Sequence, residues 1–107
     1  MPAHAAIDEV NAAQDRKIAA RLRRDRRVLT LARANLRRWT AADGPRVRAV
    51  FQEWHAVLHR LTPREIAGFL RSDTPMARRL RQSSPFAGVL TQSERRVLRR
   101  THEEARA

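Results

Sequence analysis

Few side chains in this sequence combine the residue types and spacing that catalysis requires. His55 and His59 lie four residues apart, which would let two imidazoles on one helix face share a metal ion. The surrounding letters, EWHAVLH, lack the glutamate of the HExxH arrangement, so we favour a solvated helix face. Ser83 and Ser84 have no recognisable triad order or elbow motif around them, and turn formation or capping is the simpler interpretation.

Other chemistries are limited by composition. The chain has no cysteine, which excludes disulfides and cysteine-based metal or redox sites, and its three glycines could hardly build a phosphate-binding loop. We therefore expect a protein that is not an enzyme and that has no metal site and no cofactor.

The charge points to binding instead. The 107 residues carry a net charge of +12, and arginine supplies 22 of the 23 basic side chains. Arginine presents a planar fork of donors that suits phosphate or carboxylate. The charge implies a nucleic acid, an acidic protein surface or, less readily, an anionic membrane. A coding preference for arginine would give the same composition, so composition does not choose among these ligands.

The expected location is the cytoplasm. The first residues, MPAHAAIDEVNAAQ, lack the basic start and the continuous apolar run of a signal peptide, and no apolar run approaches membrane-spanning length. We expect a soluble protein without membrane contact. Its length suits a single helical domain over residues 1–107, with residues 1–15 and 101–107 frayed.

The periodicity predicts an all-α fold, with a long basic N-terminal helix packed on a small bundle of about four further helices. Residues 5–40 contain no proline or glycine and suggest one helix, or two with a slight break. Their apolar seam could pair with another helix, so a homodimer is one expectation. The seam consists of Ile18, Leu22, Leu29, Ala32, Leu36 and Trp39. Asp25 interrupts it, either setting register or, as we favour, lying at its wet edge.

A second helix is expected after AADGP at residues 41–45, with Asp43 as its cap and Pro45 in its first turn. Its amphipathic pattern is the clearest in the chain, and we expect Trp39, Phe51 and Trp54 to pack together. Three further helix starts follow at TPRE (62–65), DTP (73–75) and TQSE (91–94).

The segment SSPFAGVL, residues 83–90, is an aperiodic apolar loop between arginine-rich stretches. Phe86, Val89 and Leu90 require a surface to cover them, and that surface is either the protein's own core, which we favour, or a partner.

Two sets of arginines could contact DNA or RNA. The first helix carries Arg16, Arg21, Arg23, Arg24 and Arg27, although a solvated face would look the same. Residues 61–82 resemble a helix-turn-helix in outline, with Arg78, Arg79 and Arg81 on the second helix. The match is partial because Arg71 stands where a turn glycine is expected and Pro75 starts the would-be recognition helix, so a plain helical corner is the alternative.

A family resemblance adds a third line of inference. The segment RRLRQSSPFAGVLTQSERRVLRR, residues 78–100, resembles the C-terminal block of small bacterial proteins encoded beside nucleotidyltransferase-type toxins, and NLRRW and EWHAVL are similar to their upstream segments. The resemblance implies an antitoxin-like partner that neutralises a bacterial toxin enzyme. In that case Phe86, Val89 and Leu90 would supply buried contacts, and Arg79 and Arg81 would fix orientation.

Two alternatives to the antitoxin-like function remain open. One is a nucleic-acid-binding protein, either a transcriptional regulator or an RNA-binding accessory factor. The other is a structural subunit of a larger particle, since arginine-rich helices in such assemblies look similar.

Overall fold

The computed structural model describes residues 2–106, with side chains described for residues 9–105. The helices are α1 (Pro2–Leu22), α2 (Arg27–Asp43), α3 (Ala49–Arg60), α4 (Pro63–Arg71), α5 (Pro75–Arg81) and α6 (Gln92–Arg106). The described residues contain no strand, which confirms the all-α class, with six helices instead of about five. Among these helices, none is long and apolar enough to cross a bilayer.

The predicted long basic helix is two helices, because the chain turns at residues 23–26. Asp25 lies in this turn, so it neither sets the register of a seam nor lies at the edge of a helical stripe. Its Oδ1 accepts a hydrogen bond from the backbone N–H of Arg27, the first residue of α2, at 3.0 Å. Its carboxylate also pairs with the Arg27 guanidinium. Asp25 therefore helps to start α2 by giving one of its free N–H groups an acceptor.

The turn lets both halves of the predicted seam enter one core. α1 packs on α2, α4 and α6, while α2 also packs on α3. The seam residues that are buried are Ile18, Leu22, Leu29, Ala32 and Leu36, and Trp39 is half-buried. The protein's own helices thus cover the surface on which we based a homodimer, and that basis is lost.

The second predicted helix begins later than its sequence signals indicated. Asp43 is the last residue of α2, and Gly44 follows with φ +64°, a conformation that ends the helix. Pro45 lies in the connection between the helices, so its predicted place in a first turn is wrong. Asp43 still helps to position the next helix, because its Oδ2 accepts from the backbone N–H of Arg48, directly before α3, at 3.1 Å.

The aromatic side chains form two groups. Trp39 and Phe51 pack with ring centroids 5.6 Å apart, as predicted. Trp54, which has no exposed surface, instead meets Phe69 and Phe86 edge to face, at 5.6 and 6.1 Å. The predicted cluster of three is therefore right for one pair and wrong for Trp54, whose partners lie in α4 and in the 83–90 loop.

The three predicted helix starts are confirmed. The Thr62 hydroxyl accepts from the Glu65 N–H at 3.2 Å, and the Glu65 carboxylate accepts from the Thr62 N–H at 2.9 Å. Thr91 and Glu94 form the same reciprocal pair, with both distances 3.1 Å. The Thr74 hydroxyl accepts from the backbone three residues later, at 3.2 Å. Short polar side chains before proline or glutamate thus mark α4, α5 and α6 correctly.

The 83–90 loop packs on the protein's own core, as we favoured. Phe86 and Leu90 are 1% and 3% exposed. The buried Asn35 side chain of α2 donates from Nδ2 to the carbonyl oxygens of Pro85 and Ala87, both at 2.9 Å. A single amide therefore satisfies two loop carbonyls and joins the loop to α2.

Replacing Asn35 with alanine should lower the free energy of unfolding by about 2 to 4 kcal/mol, because two carbonyls lose their donor in a desolvated site. Urea denaturation followed by tryptophan fluorescence would measure the change. Asn11→Ala, at an exposed position of α1, is the matched control and should stay within about 0.5 kcal/mol of wild type. Equal stability of the two variants would show that the loop is held by its apolar side chains alone.

Candidate binding surface

Arg21 joins α1 to the loop and to α6. Its Nη1 donates to the carbonyl of Val89 at 2.9 Å, and its guanidinium pairs with the Glu94 carboxylate. Hydrogen bonding from Arg21, together with the N–H of Thr91, lowers the pKa of Glu94 to about 2. Lys17 approaches the same carboxylate at 3.6 Å. Arg21 therefore has an internal structural role through Nη1 and Nη2, and its predicted phosphate contact stays a prediction.

Arg81 is also engaged internally. Its side chain is only 13% exposed, and its Nε lies 3.2 Å from Oδ2 of Asp15 in α1. Its Nη1 donates to the carbonyl of Ser72 and, at 3.5 Å, to that of Phe69. Arg81 thus connects α1, the end of α4 and α5, and its predicted role in orienting a partner stays a prediction.

Asp15 is a buried carboxyl that sequence reasoning missed. Burial raises its pKa to about 6, although the positive charges of Arg81 and Arg16 oppose the rise. It borders a cavity of about 280 Å³ between α1 and the loop, with Gln14 and Arg95 also at the lining. A signal was present in the sequence, because Asp15 is in helical phase with the apolar stripe that continues three residues later. Asp15 falls within residues 1–15, which the sequence analysis predicts to be frayed, and that fraying stays a prediction.

The Asp15 carboxyl should make stability fall as pH rises from about 4 to 6. In that window the unfolded chain has lost the proton that the folded protein keeps on Asp15. The stability that this proton contributes is therefore complete below pH 4 and lost above pH 6. The free energy of unfolding of Asp15→Asn, relative to that of the wild type, should therefore rise by about 3 kcal/mol as the pH increases from 4 to 7. Denaturation curves at four pH values would measure it.

Asp73→Asn is the control for that series, because pairing with Arg78 lowers the pKa of the exposed Asp73 carboxyl and its stability effect has the opposite sign. If the difference in free energy of unfolding between wild type and Asp15→Asn does not change with pH, Asp15 titrates at its ordinary value. A difference that changes in the opposite direction would show that attraction to Arg81 outweighs burial.

The apolar loop residues do not form an exposed binding surface. Phe86 and Leu90 are almost fully buried, and the half-buried Val89 packs against the same core. A partner could reach Phe86 or Leu90 only if the loop left the core. The surface that they cover is the protein's own, and their predicted role as partner contacts stays a prediction.

The arginines of α5 differ in exposure. Arg79 remains half-exposed and forms a two-point pair with Glu53 of α3, at 3.0 and 2.6 Å. Arg78 is also exposed and pairs with Asp73 at 2.8 Å. With only seven residues in α5 and Arg81 turned inward, this geometry fits a plain helical corner better than a recognition helix.

The turn between α1 and α2 forms an exposed basic cluster, which we call the basic corner, residues 23–27. It holds four arginines and one aspartate, a net charge of +3. Arg23, Arg24 and Arg26 are exposed, and of the four arginines only Arg27 forms an ion pair among the described residues, with Asp25. Arg16 is exposed about two turns earlier in α1. The structure thus brings Arg23, Arg24 and Arg27 together, with Arg26 beside them.

His55 and His59 lie on the exposed face of α3, along a groove shared with α2. The ring Nε2 of His55 lies 3.0 Å from the Thr40 hydroxyl, and Arg33 and Arg37 border the same groove. Within residues 9–105, no group of three histidine or carboxylate side chains could hold a metal ion. The pair belongs to a basic groove, a neighbourhood that sequence spacing alone did not reveal.

Comparisons of the chain with protein-family models, with curated proteins and with solved structures found no match. The proposals that follow therefore depend on the chain's own residues.

Proposed function

We propose that this protein is a small non-catalytic binding protein, antitoxin-like, that neutralises a bacterial enzyme by covering part of its surface. The observation that carries the proposal is the exposed face of α5, where Met76 is 47% exposed and Arg79 lies three residues later on the same side of the helix. We call Met76, Arg79 and Glu53 the α5 face. Arg79 belongs to the segment that resembles the toxin-associated proteins.

The chemistry of the α5 face suits a protein partner. An exposed apolar side chain beside an arginine supplies the two kinds of contact that often dominate interface energies. Glu53 limits the freedom of the Arg79 guanidinium through two hydrogen bonds, which reduces the entropy that binding would cost. The net charge of +12 favours a partner with an acidic surface, such as a nucleotidyltransferase-type toxin with clustered carboxylates.

Affinity purification of the tagged protein from its native host, at moderate salt and after nuclease treatment, should recover a second protein in stoichiometric amount. Met76→Ala and Arg79→Ala should each weaken that complex by about 1 to 3 kcal/mol, measured by titration calorimetry, and change stability little. Arg96→Ala, at an exposed position of α6, is the control. Loss of every retained protein after nuclease, or equal affinity for all three variants, would contradict the proposal.

A second candidate function, nucleic-acid binding, is favoured by the basic corner. No apolar residue lies between its exposed arginines, and residues 23–27 lie where α1 gives way to α2. Such a cluster suits phosphates, which attract arginine without requiring an apolar contact. The ligand would be DNA or RNA contacted through its backbone.

If the basic corner binds nucleic acid, Arg24→Gln should reduce the slope of log affinity against log salt by about one unit, because one phosphate contact is lost. Fluorescence anisotropy with a labelled duplex and a labelled RNA, over several salt concentrations, would measure the slope. Arg46→Gln removes the same charge beyond the far end of α2, on the order of 25 Å away, and should have less effect. Equal slopes for both variants would indicate diffuse charge attraction without a site.

A further inference from the structure

The groove between α2 and α3 is a basic cleft built by two antiparallel helices. A connection of residues 44–48 joins them, and contacts follow the antiparallel order along the chain. Thr40 meets His55, and nearer the other end Arg33 donates from Nη2 to the carbonyl of Leu58 at 3.3 Å. The facing positions are therefore fixed by hydrogen bonds at two levels of the groove.

Two rows of basic side chains border this groove. Arg33 and Arg37 are four residues apart on α2, and His55 and His59 are four apart on α3. Side chains at this spacing lie on one helix face, with a rise of about 6 Å between them. All four residues are exposed, and among the described residues no carboxylate lines the groove. The cleft thus concentrates donors for an anion.

The floor and the size of the groove limit its occupant. Leu36 and Leu58, both nearly fully buried, form the floor, and the cavity measures about 280 Å³. This volume lies just below the usual range of about 300 to 1,000 Å³ for small-molecule sites, so a single small anion with one ring system fits better than an extended ligand. Histidine rings and guanidinium planes are the surfaces on which nucleobases stack.

We propose that the α2–α3 groove binds a single nucleotide unit. The phosphate accepts hydrogen bonds from Arg33 and Arg37, and the base lies over the leucine floor against the ring of His59 or His55. The hydrogen bond between His55 and Thr40 holds the His55 ring in place for this contact. The same chemistry is offered by a free nucleotide and by one nucleotide of a strand. The inference does not depend on either proposed function, because it uses neither the α5 face nor the basic corner.

Nuclear magnetic resonance titrations with adenosine monophosphate, adenosine, inorganic phosphate and a short single-stranded RNA would test the groove. Adenosine monophosphate should shift the ring signals of His55 and His59 saturably, and adenosine or phosphate alone should bind about tenfold more weakly or worse. Saturation by both, with the RNA binding more tightly than the mononucleotide, would identify a strand as the source of the nucleotide. Saturation by the mononucleotide alone would identify the free form.

Variants separate a specific site from general charge attraction. Arg37→Gln should weaken mononucleotide binding by about tenfold or more, and Arg37→Lys should recover only part of it because the two-point fork is lost. Arg96→Gln removes the same charge from α6 and should change affinity less than about twofold. His59→Gln provides a second test if Arg37→Gln does not fold.

Two outcomes would overturn the inference: inorganic phosphate binding as tightly as the mononucleotide, or equal losses from Arg37→Gln and Arg96→Gln. A groove that still binds after Arg24→Gln and Arg79→Ala would show that it acts independently of the two proposed functions.

Discussion

The packing of the 83–90 loop against Trp54 is the constraint on which the other contacts depend. Phe86 meets the edge of the Trp54 ring, and the Trp54 indole N–H donates to the carbonyl of Leu80 at 2.8 Å, at the end of α5. Asn35 holds the loop backbone from the opposite side. One aromatic side chain and one amide thus join α2, α3, α5 and the loop. The loop held in this way exposes Ala87 and Gly88 and buries Phe86 and Leu90.

Burial of the loop explains why Arg21 and Arg81 connect helices within the protein. With the loop folded inward, the carbonyl of Val89 lies within reach of Arg21, and the turn before α6 places Glu94 beside the same guanidinium. Arg81, at the end of α5, meets the buried carboxyl of Asp15. Ion pairs of this kind cost desolvation, so their value lies in fixing how α1 docks as much as in stability. The arginine-rich sequence therefore contains two populations, one that positions helices and one that faces solvent.

Local signals predicted much of the fold, and contacts distant in sequence account for most of the errors. The Thr62 and Thr91 boxes need only four consecutive residues, and both were predictable. The turn at Asp25 replaced a helix that propensity would have continued, because the apolar residues on either side must reach one core. Asn35 donates a hydrogen bond to Pro85, which lies 50 residues away in sequence, and no local pattern encodes that contact. For the candidate surfaces, charge was predictable, but which arginines are engaged depended on tertiary packing.

The excess of arginine bears on the proposal of an anionic ligand. The chain has 23 basic and 11 acidic side chains, so complete one-to-one pairing would still leave 12 positive charges without a carboxylate. The acids that do pair are used at helix junctions, such as Glu94 between α1 and α6 and Asp25 before α2. The remaining positive charge is concentrated on exposed surfaces, where it repels itself and destabilises the folded chain. If an anionic ligand binds as proposed, it relieves that repulsion, and the same charge that weakens the free protein would then strengthen the complex.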